Sequence, residues 1–430
     1  MGKHALSGVR ILDMTHVQAG PTSSQLLAWM GADVIKFEPP GTGDITRSQL
    51  CHLKDAEGKW IDSLYFTMLN GNKRSITVNM KSKAGCDAFE ELIRKSDVMM
   101  ENFGPGVLDR FGYTFERIQE INPGIIYATL KGFGATGPYS QFKAYEPIAQ
   151  AMSGSMSLTG FPENPPVVSA AQTGDTGTGL HLAIGILAAL YHRTHNGGKG
   201  QLVECAMQDS VMNLCRVKYR DHGRLSGGKA ALSEFSRPTL GLTAVPRAGN
   251  DSGGGQLGNC IPCKPFGSND YVYMVLQDAI FPQIATLIGG EALANDERFS
   301  KIGPRRENQL ELWKIIGDFA KNYTKFELSA LFNSKDFPCG PVLTTEDVAK
   351  DEHVRHRKMW VEVKDEKRGN YWTVGMPVKL SDGLVPELLR APLLGEHTNE
   401  ILSQVCGFSA DKIKQMTEEG AFTVPERRKK

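Results

Sequence analysis

The residues with the clearest chemical potential are the aspartate in Gly174-Asp175-Thr176-Gly177-Thr178-Gly179 and the glycine run Gly253-Gly254-Gly255-Gln256. Three readings compete for Asp175. An aspartate in a glycine turn just ahead of an apolar helix commonly caps that helix. The Asp-Thr-Gly triplet, with Asp251-Ser252-Gly253 later, also matches the paired triplets of aspartic proteases, whose two carboxylates share a proton. Those enzymes are all-β, whereas this triplet feeds an apolar helix within a strand–helix series, so its context excludes them. The third reading is a nucleophilic carboxylate. With an ordinary pKa of about 3.9, an aspartate is already ionised at neutral pH and needs no general base. It can attack a thioester carbonyl directly, releasing a thiolate and leaving a mixed anhydride. The flanking glycines give a bulky thioester close access. Anhydrides hydrolyse readily, so such a site also needs a lid that excludes water. The glycine run is the candidate lid, set against the commoner role of such runs as plain linkers.

Other signatures are missing. The turn Thr15-His16-Val17-Gln18-Ala19-Gly20-Pro21 holds one glycine and cannot be the three-glycine dinucleotide fingerprint. Gly198-Lys199-Gly200 lacks the Ser or Thr that would complete a Walker A loop. Cys260-Ile261-Pro262-Cys263 is a lone CxxC pair, and His353 and His356 sit in a polar run with Asp351, Glu352 and Arg355. Neither has the spacing of a metal site, and none is expected.

The elements that must position Asp175 follow a strand–helix–strand rhythm. β-Branched and apolar content predicts strands over Val9–Met14, Val34–Phe37, Arg74–Val78, Val98–Asn102, Ile125–Leu130 and Gln201–Ala206. Helical spacing predicts helices over Pro21–Met30, Ser82–Lys95, Phe115–Ile121, Gly179–His195 and Ser210–Arg220. Such alternation predicts an α/β fold with a parallel sheet covered by helices. Gly179–His195 is the most apolar helix and is expected to be buried. From Gly223 to Asn269 the chain is rich in Gly, Ser and Pro, as at a domain boundary with a functional loop. Helices near Phe281–Ile288 and Glu307–Tyr323 predict a second, smaller domain.

The bulk properties are those of an ordinary globular chain: 430 residues, 40% hydrophobic and 23% charged. With 49 basic against 48 acidic residues, the net charge of +1 gives no sign of nucleic acid or an anionic membrane as partner. The N-terminus lacks the apolar run of a signal peptide, and Leu182–Leu190 is too short to span a bilayer. The eight scattered cysteines read as reduced thiols, and a cytoplasmic protein is expected.

Several stretches resemble the class III CoA-transferases. They are Gly8-Val9-Arg10-Ile11-Leu12-Asp13 through Gly20-Pro21, then Leu27 to Glu38, Asn72-Lys73-Arg74-Ser75-Ile76, Glu101-Asn102-Phe103, Pro105-Gly106, Lys131-Gly132-Phe133-Gly134 and the Gly174-Asp175 turn. Leu64-Tyr65-Phe66-Thr67-Met68, Gly249-Asn250 to Gly255-Gln256 and Ala391-Pro392-Leu393-Leu394-Gly395-Glu396-His397 resemble the members that act on oxalate. The likeness covers nearly the whole chain. It implies a Rossmann-like large domain built from both chain ends, with residues 1–207 and 346–430. It further implies linkers at 208–230 and 326–345, a small inserted α+β domain with the lid over 231–325, and an interlocked homodimer.

The implied activity is transfer of CoA from formyl-CoA or succinyl-CoA to oxalate, with coenzyme A as substrate and no tightly bound cofactor. Asp175 matches the family nucleophile, Gln18 the group that polarises the reacting carbonyl, and Glu146 and Tyr145 positions beside it. Tyr65 and Gln49 match substrate-pocket positions, and Gly253, Gly254, Gly255 and Gln256 the lid. Gln18, Ala19, Val78, Asn79, Met80, Lys81, Asn102, Phe103, Gly104, Arg110, Lys143, Ala144, Tyr145 and Glu146 match CoA-binding positions. Lys81, Arg110 and Lys143 are the cations suited to its phosphates. The sequence departs from the pattern at Pro39, where an arginine near the adenosine is implied, at Gln49 in place of a tryptophan, and at Ser252 in place of the first lid glycine. Two other readings stay open. One is an α-methylacyl-CoA racemase, against which Lys143-Ala144-Tyr145-Glu146 offers no histidine. The other is a CoA-binding protein without turnover.

Overall fold

A computed structural model describes residues 4–55, 57–219, 244–250, 256–382 and 387–424. The chain divides into two compact units, one of Met1–Ser153, Ala170–Leu214 and Arg355–Lys430, the other of Gly154–Ser169 and Cys215–Val354.

The first unit is built on six parallel strands, β1 (Arg10–Asp13), β2 (Asp33–Glu38), β5 (Arg74–Thr77), β6 (Val98–Glu101), β7 (Ile126–Lys131) and β8 (Leu202–Ala206). Their order across the sheet is β5-β2-β1-β6-β7-β8. The chain therefore winds outward from β1 to β5, then crosses back to place β6 on the other side of β1. In such sheets the reversal leaves a crevice beyond the carboxyl ends of the two central strands, the usual place for a ligand.

The helices are α1 (Ala19–Trp29), α2 (Leu64–Asn70), α3 (Lys83–Arg94), α4 (Phe115–Ile121), α5 (Glu146–Met152), α7 (Thr176–His195) and α8 (Met207–Leu214). A short turn, α6 (Ser155–Leu158), belongs to the second unit. The side chain of Ser82 caps α3 by accepting from the Gly85 N–H. Leu12, Ile35, Ile76 and Met99 of the sheet pack with Ala88, Phe89 and Leu92 of α3. Ile401, Leu402 and Met416, from the helices Thr398–Gln404 and Ala410–Glu418, complete that core.

One expectation differs from the structure here. The helix α7 is buried on one face only, through Leu182, Ala183, Ile186 and Ala189, while Leu180, Ile184 and Tyr191 are 43%, 64% and 71% exposed. Its sequence is apolar all round, so hydrophobicity alone could not tell one packed face from two. A hairpin of β3 (His52–Lys54) and β4 (Trp60–Ser63), with α2 after it, occupies a stretch for which the sequence reading offers no element.

The second unit holds an antiparallel sheet ordered β11-β10-β9, from β9 (Leu257–Pro262), β10 (Tyr271–Leu276) and β11 (Cys339–Pro341). Helices Phe281–Ala294, Gln309–Ala320 and Lys325–Asn333 cover it around Ile261, Val272, Phe281, Ile316 and Phe332. Residues 326–345, expected as a linker, thus carry most of a helix and a strand paired to β10. Likewise 208–214 of the expected linker 208–230 belong to α8, and 220–230 lie outside the described residues. At 326–345 the chain packs apolar side chains that turn-rich neighbours concealed, whereas the helix predicted over Ser210–Arg220 already overlaps the start of the expected linker 208–230. Among the described residues no helix is long and apolar enough to cross a membrane, and no cluster of three or more His, Cys, Asp or Glu is placed to hold a metal.

Candidate active site

A tightly held turn and two helix starts build the site. After β1, Asp13 Oδ1 accepts the Thr15 N–H at 2.9 Å and its hydroxyl at 2.5 Å. Lys36 donates to the Thr15 carbonyl and, at 2.9 Å, to Asp44. Asn102, just past β6, accepts the His16 N–H and donates to the His16 carbonyl, each at 2.8 Å. Asp44 accepts the Val17 N–H at 3.3 Å. Asp13, Lys36, Asp44 and Lys73 are buried, and the pairs Lys36–Asp44 (2.9 Å) and Lys73–Asp13 (3.0 Å) make that burial tolerable. So clamped, Val17 adopts φ 66, a region that β-branched residues rarely enter.

The turn delivers Gln18 to the start of α1, where both ends of its amide are engaged. Its Nε2 donates to Gln172 and, at 3.0 Å, to the Thr176 hydroxyl. Its Oε1 accepts from the Tyr65 hydroxyl at 3.0 Å. Burial, then the negative charges of Asp175 and Asp44, push the Tyr65 phenol up to about 12, so it stays a donor at neutral pH.

Asp175 occupies the N-cap position of α7, yet its side chain accepts no hydrogen bond from the helix. The capping reading therefore does not describe this carboxylate. The Asp175 backbone N–H instead donates to Glu146 Oε2. Glu146 is buried at the start of α5, and its Oε1 accepts from Gln150 at 2.5 Å, one turn further along. Burial, then the charge of Glu146, push the Asp175 carboxyl up to about 6. Shifts of this origin are found at functional carboxylates and in structural networks alike, and make Asp175 a candidate.

Two glycines explain how these parts approach. A Cβ on Gly174 would lie 2.9 Å from Glu146 Oε2, and one on Gly179 would lie 2.5 Å from the Ala19 carbonyl. The glycines around Asp175, read from sequence as access for a thioester, thus admit Glu146 and let α7 lie against α1.

Asp175, Gln18, Glu146 and Tyr65 are therefore brought together in the first unit. Ala19 opens α1, Val78–Lys81 leave β5 and Asn102–Gly104 leave β6, all at the carboxyl ends of the sheet strands or the elements that follow them. Val78 and Asn79 are buried, Asn79 donating to the Ala421 and Gly420 carbonyls at 2.7 and 3.0 Å. Met80 packs against the sheet core. Lys81, Arg110 and Lys143 are exposed, as a phosphate-binding role allows. Ala144 lies against Gly132, and Tyr145 is 69% exposed beside α5. Gln49 is half-buried, its N–H donating to Thr46 at 3.2 Å. Gln256 is exposed just ahead of β9 in the second unit, and Gly253, Gly254 and Gly255 lie outside the described residues.

Sequence reasoning missed Gln172, Thr176 and Gln150. Only Gln150 carried a signal, since Glu and Gln four apart on a helix share a face. A 1040 Å³ cavity elsewhere in this unit, bordered by Lys73, Arg74, Arg357, Lys358, Lys379 and Arg390, is lined by none of Asp175, Gln18, Glu146 and Tyr65.

With this geometry in hand, comparison with known proteins is decisive at the family level. The profile of CoA-transferase family III matches residues 6–398. The chain belongs to this family. It is an enzyme of the CoA-transferase class, as the motif resemblance implied. It is 50% identical over 426 residues to a formyl-CoA:oxalate CoA-transferase of Bradyrhizobium sp. (strain ORS 278), covering 98% of each chain. It is 49% identical over 422 residues to one of Streptomyces coelicolor, covering 98% of this chain and 100% of that one. Among solved structures, a CAIB/BAIF family protein from Brucella suis superposes with a TM-score of 0.79 at 29% identity, over 94% of this chain and 100% of that one. A Mycobacterium tuberculosis protein at 24% identity and TM-score 0.76, over 93% of this chain and 99% of that one, shares the fold. This family III fold is the six-stranded parallel α/β arrangement described above.

Proposed function

We propose that this CoA-transferase moves CoA from formyl-CoA to oxalate, with Asp175 as the covalent carrier. The observation that carries the reading is the Asp175 carboxylate itself. It stands at a helix start without capping it, is raised in basicity by burial and Glu146, and adjoins the Gln18–Tyr65–Thr176 network. The two relatives at about half identity, both formyl-CoA:oxalate CoA-transferases over essentially the full chain, support the substrate pair.

In the proposed cycle an Asp175 oxygen attacks the formyl carbonyl, the C–S bond breaks, and CoA leaves as thiolate. The thiolate then attacks the side-chain carbonyl of the aspartyl–formyl anhydride, expelling formate and leaving a β-aspartyl-CoA thioester. An oxalate oxygen attacks that carbonyl and again expels the thiolate. Attack of the thiolate on the oxalyl carbonyl gives oxalyl-CoA and returns the Asp175 carboxylate. No net proton is taken up, so no histidine is needed. Each tetrahedral stage develops an oxyanion, and the Gln18 amide would stabilise it. Glu146 orients Asp175 through its N–H, and Tyr65, Tyr145 and Gln49 would border the substrate.

CoA would lie along the carboxyl edge, over Ala19, Val78 to Lys81, Phe103, Gly104 and Lys143 to Glu146. Lys81, Arg110 and Lys143 would meet its phosphates in the absence of an arginine at Pro39. The large domain from both chain ends would carry the nucleophile, and the inserted domain the lid. The exposed face of α7, Leu180, Ile184 and Tyr191, supports an interlocked homodimer that covers it. The eight free cysteines fit a reducing, cytoplasmic setting. The test is transfer by Asp175→Ala, measured with formyl-CoA and succinyl-CoA as alternative donors to oxalate. Wild type should favour formyl-CoA and the variant should transfer from neither; retained transfer by the variant rules the reading out.

A further inference from the structure

Asn102 stands at the crevice where the strand order reverses, and its side chain is used in an unexpected way. The backbone ladder between β1 and β6 ends with the Met14 N–H donating to Met100 at 2.9 Å. Beyond that rung the strands give way to loops. The Asn102 amide then supplies one more pair of bonds, accepting the His16 N–H and donating to the His16 carbonyl, each at 2.8 Å. A carboxamide with its acceptor and donor on the same residue's backbone imitates a further strand pairing.

The loop that bears this latch is itself tied down. The Phe103 N–H donates to Glu101 at 2.8 Å, Lys131 donates to the Phe103 carbonyl at 2.7 Å, and the Phe103 and His16 rings lie 5.6 Å apart. What the latch holds is costly to hold. The next residue, Val17, sits at φ 66, where a β-branched side chain is strained. Such a conformation persists only when its surroundings over-determine it, and Gln18 follows directly.

We propose that Asn102 is a positioning residue for Gln18: its amide holds the strained His16–Val17 turn that aims the carbonyl-polarising side chain. The resemblance to the family places Asn102 among CoA contacts; here its side chain acts on the turn instead. The inference rests on the reading of Gln18 as the group that polarises the reacting carbonyl.

The experiment is steady-state kinetics on the full-length protein, with Gln18→Ala measured alongside. Asn102→Ala should lower kcat by roughly ten- to a hundredfold, less than loss of an oxyanion donor itself, with KM for the acyl-CoA donor within about twofold. Asn102→Asp keeps the acceptor and loses the donor, so it should fall between Asn102→Ala and wild type; it also serves if the alanine variant does not fold. The diagnostic is Val17→Gly in the Asn102→Ala background. Glycine adopts φ 66 without strain, so the double variant should recover part of kcat. A raised KM with unchanged kcat would make Asn102 a CoA contact and overturn the proposal, as would the absence of recovery in the double variant. If Gln18→Ala itself keeps wild-type kcat, it is the reading of Gln18 that fails.

Discussion

At pH 7 the Asp175 carboxyl, pushed up to about 6 by burial and then by Glu146, remains mostly ionised. Only the anion can attack, so kcat/KM should hold above that value and fall as pH drops through it. Glu146→Gln keeps an acceptor for the Asp175 N–H but removes the charge that opposes ionisation. Its acid limb should therefore move to lower pH in a pH–rate profile; an unmoved limb contradicts the electrostatic account. Asp175 stood out as a candidate because its glycine turn and the helix after it leave few roles for an aspartate. Gln172 and Thr176, which hold the Gln18 amide, were not. Their role depends on two segments more than 150 residues apart meeting, and nothing local in either one announces it.

At the scale of elements, the site depends on α7 lying close against α1. Gly179 makes this possible, since its missing Cβ would come 2.5 Å from the Ala19 carbonyl, a backbone atom that cannot swing aside. Gly179→Ala should cost about 1–3 kcal/mol of stability through overpacking, read as a lowered melting temperature. It should also lower activity, because Gln18 and Thr176 sit at the facing ends of these helices. A variant as stable and active as wild type would show that the close approach is not needed. The strand–helix series was readable from periodicity, and its parallel pairing followed. The start of α7 was placed three residues late, because Gly177 and Gly179 argue against helix by propensity. Tertiary packing, which requires them there, overrides that preference. The helix α2 escaped notice for a related reason. Leu64-Tyr65-Phe66 reads as strand-prone, although Ser63 caps the helix by accepting from the Phe66 N–H at 3.0 Å.

For the whole molecule, the stripe Leu180, Ile184 and Tyr191, exposed among the described residues, is the feature to explain, since Ile184 at 64% exposed would ordinarily be covered. If a second copy covers it, Ile184→Glu should shift the protein from dimer to monomer or aggregate in sedimentation velocity. A variant that stays dimeric would move the interface elsewhere. The sequence could not separate a helix packed on both faces from one packed on a single face, because both are apolar all round. The same blindness applies at 326–345, where turn-rich flanks hid a strand that pairs with β10. By contrast, family membership was legible almost end to end, since its motifs are spread along the chain.

The central claim is that CoA passes through a covalent bond to one side chain. Wild-type protein incubated with formyl-CoA in the absence of oxalate, quenched in acid and digested, should give the Asp175 peptide carrying CoA by mass spectrometry. Added oxalate should discharge it, and Asp175→Ala should never acquire it. A chain that turns over formyl-CoA and oxalate with no CoA on that peptide would contradict the account.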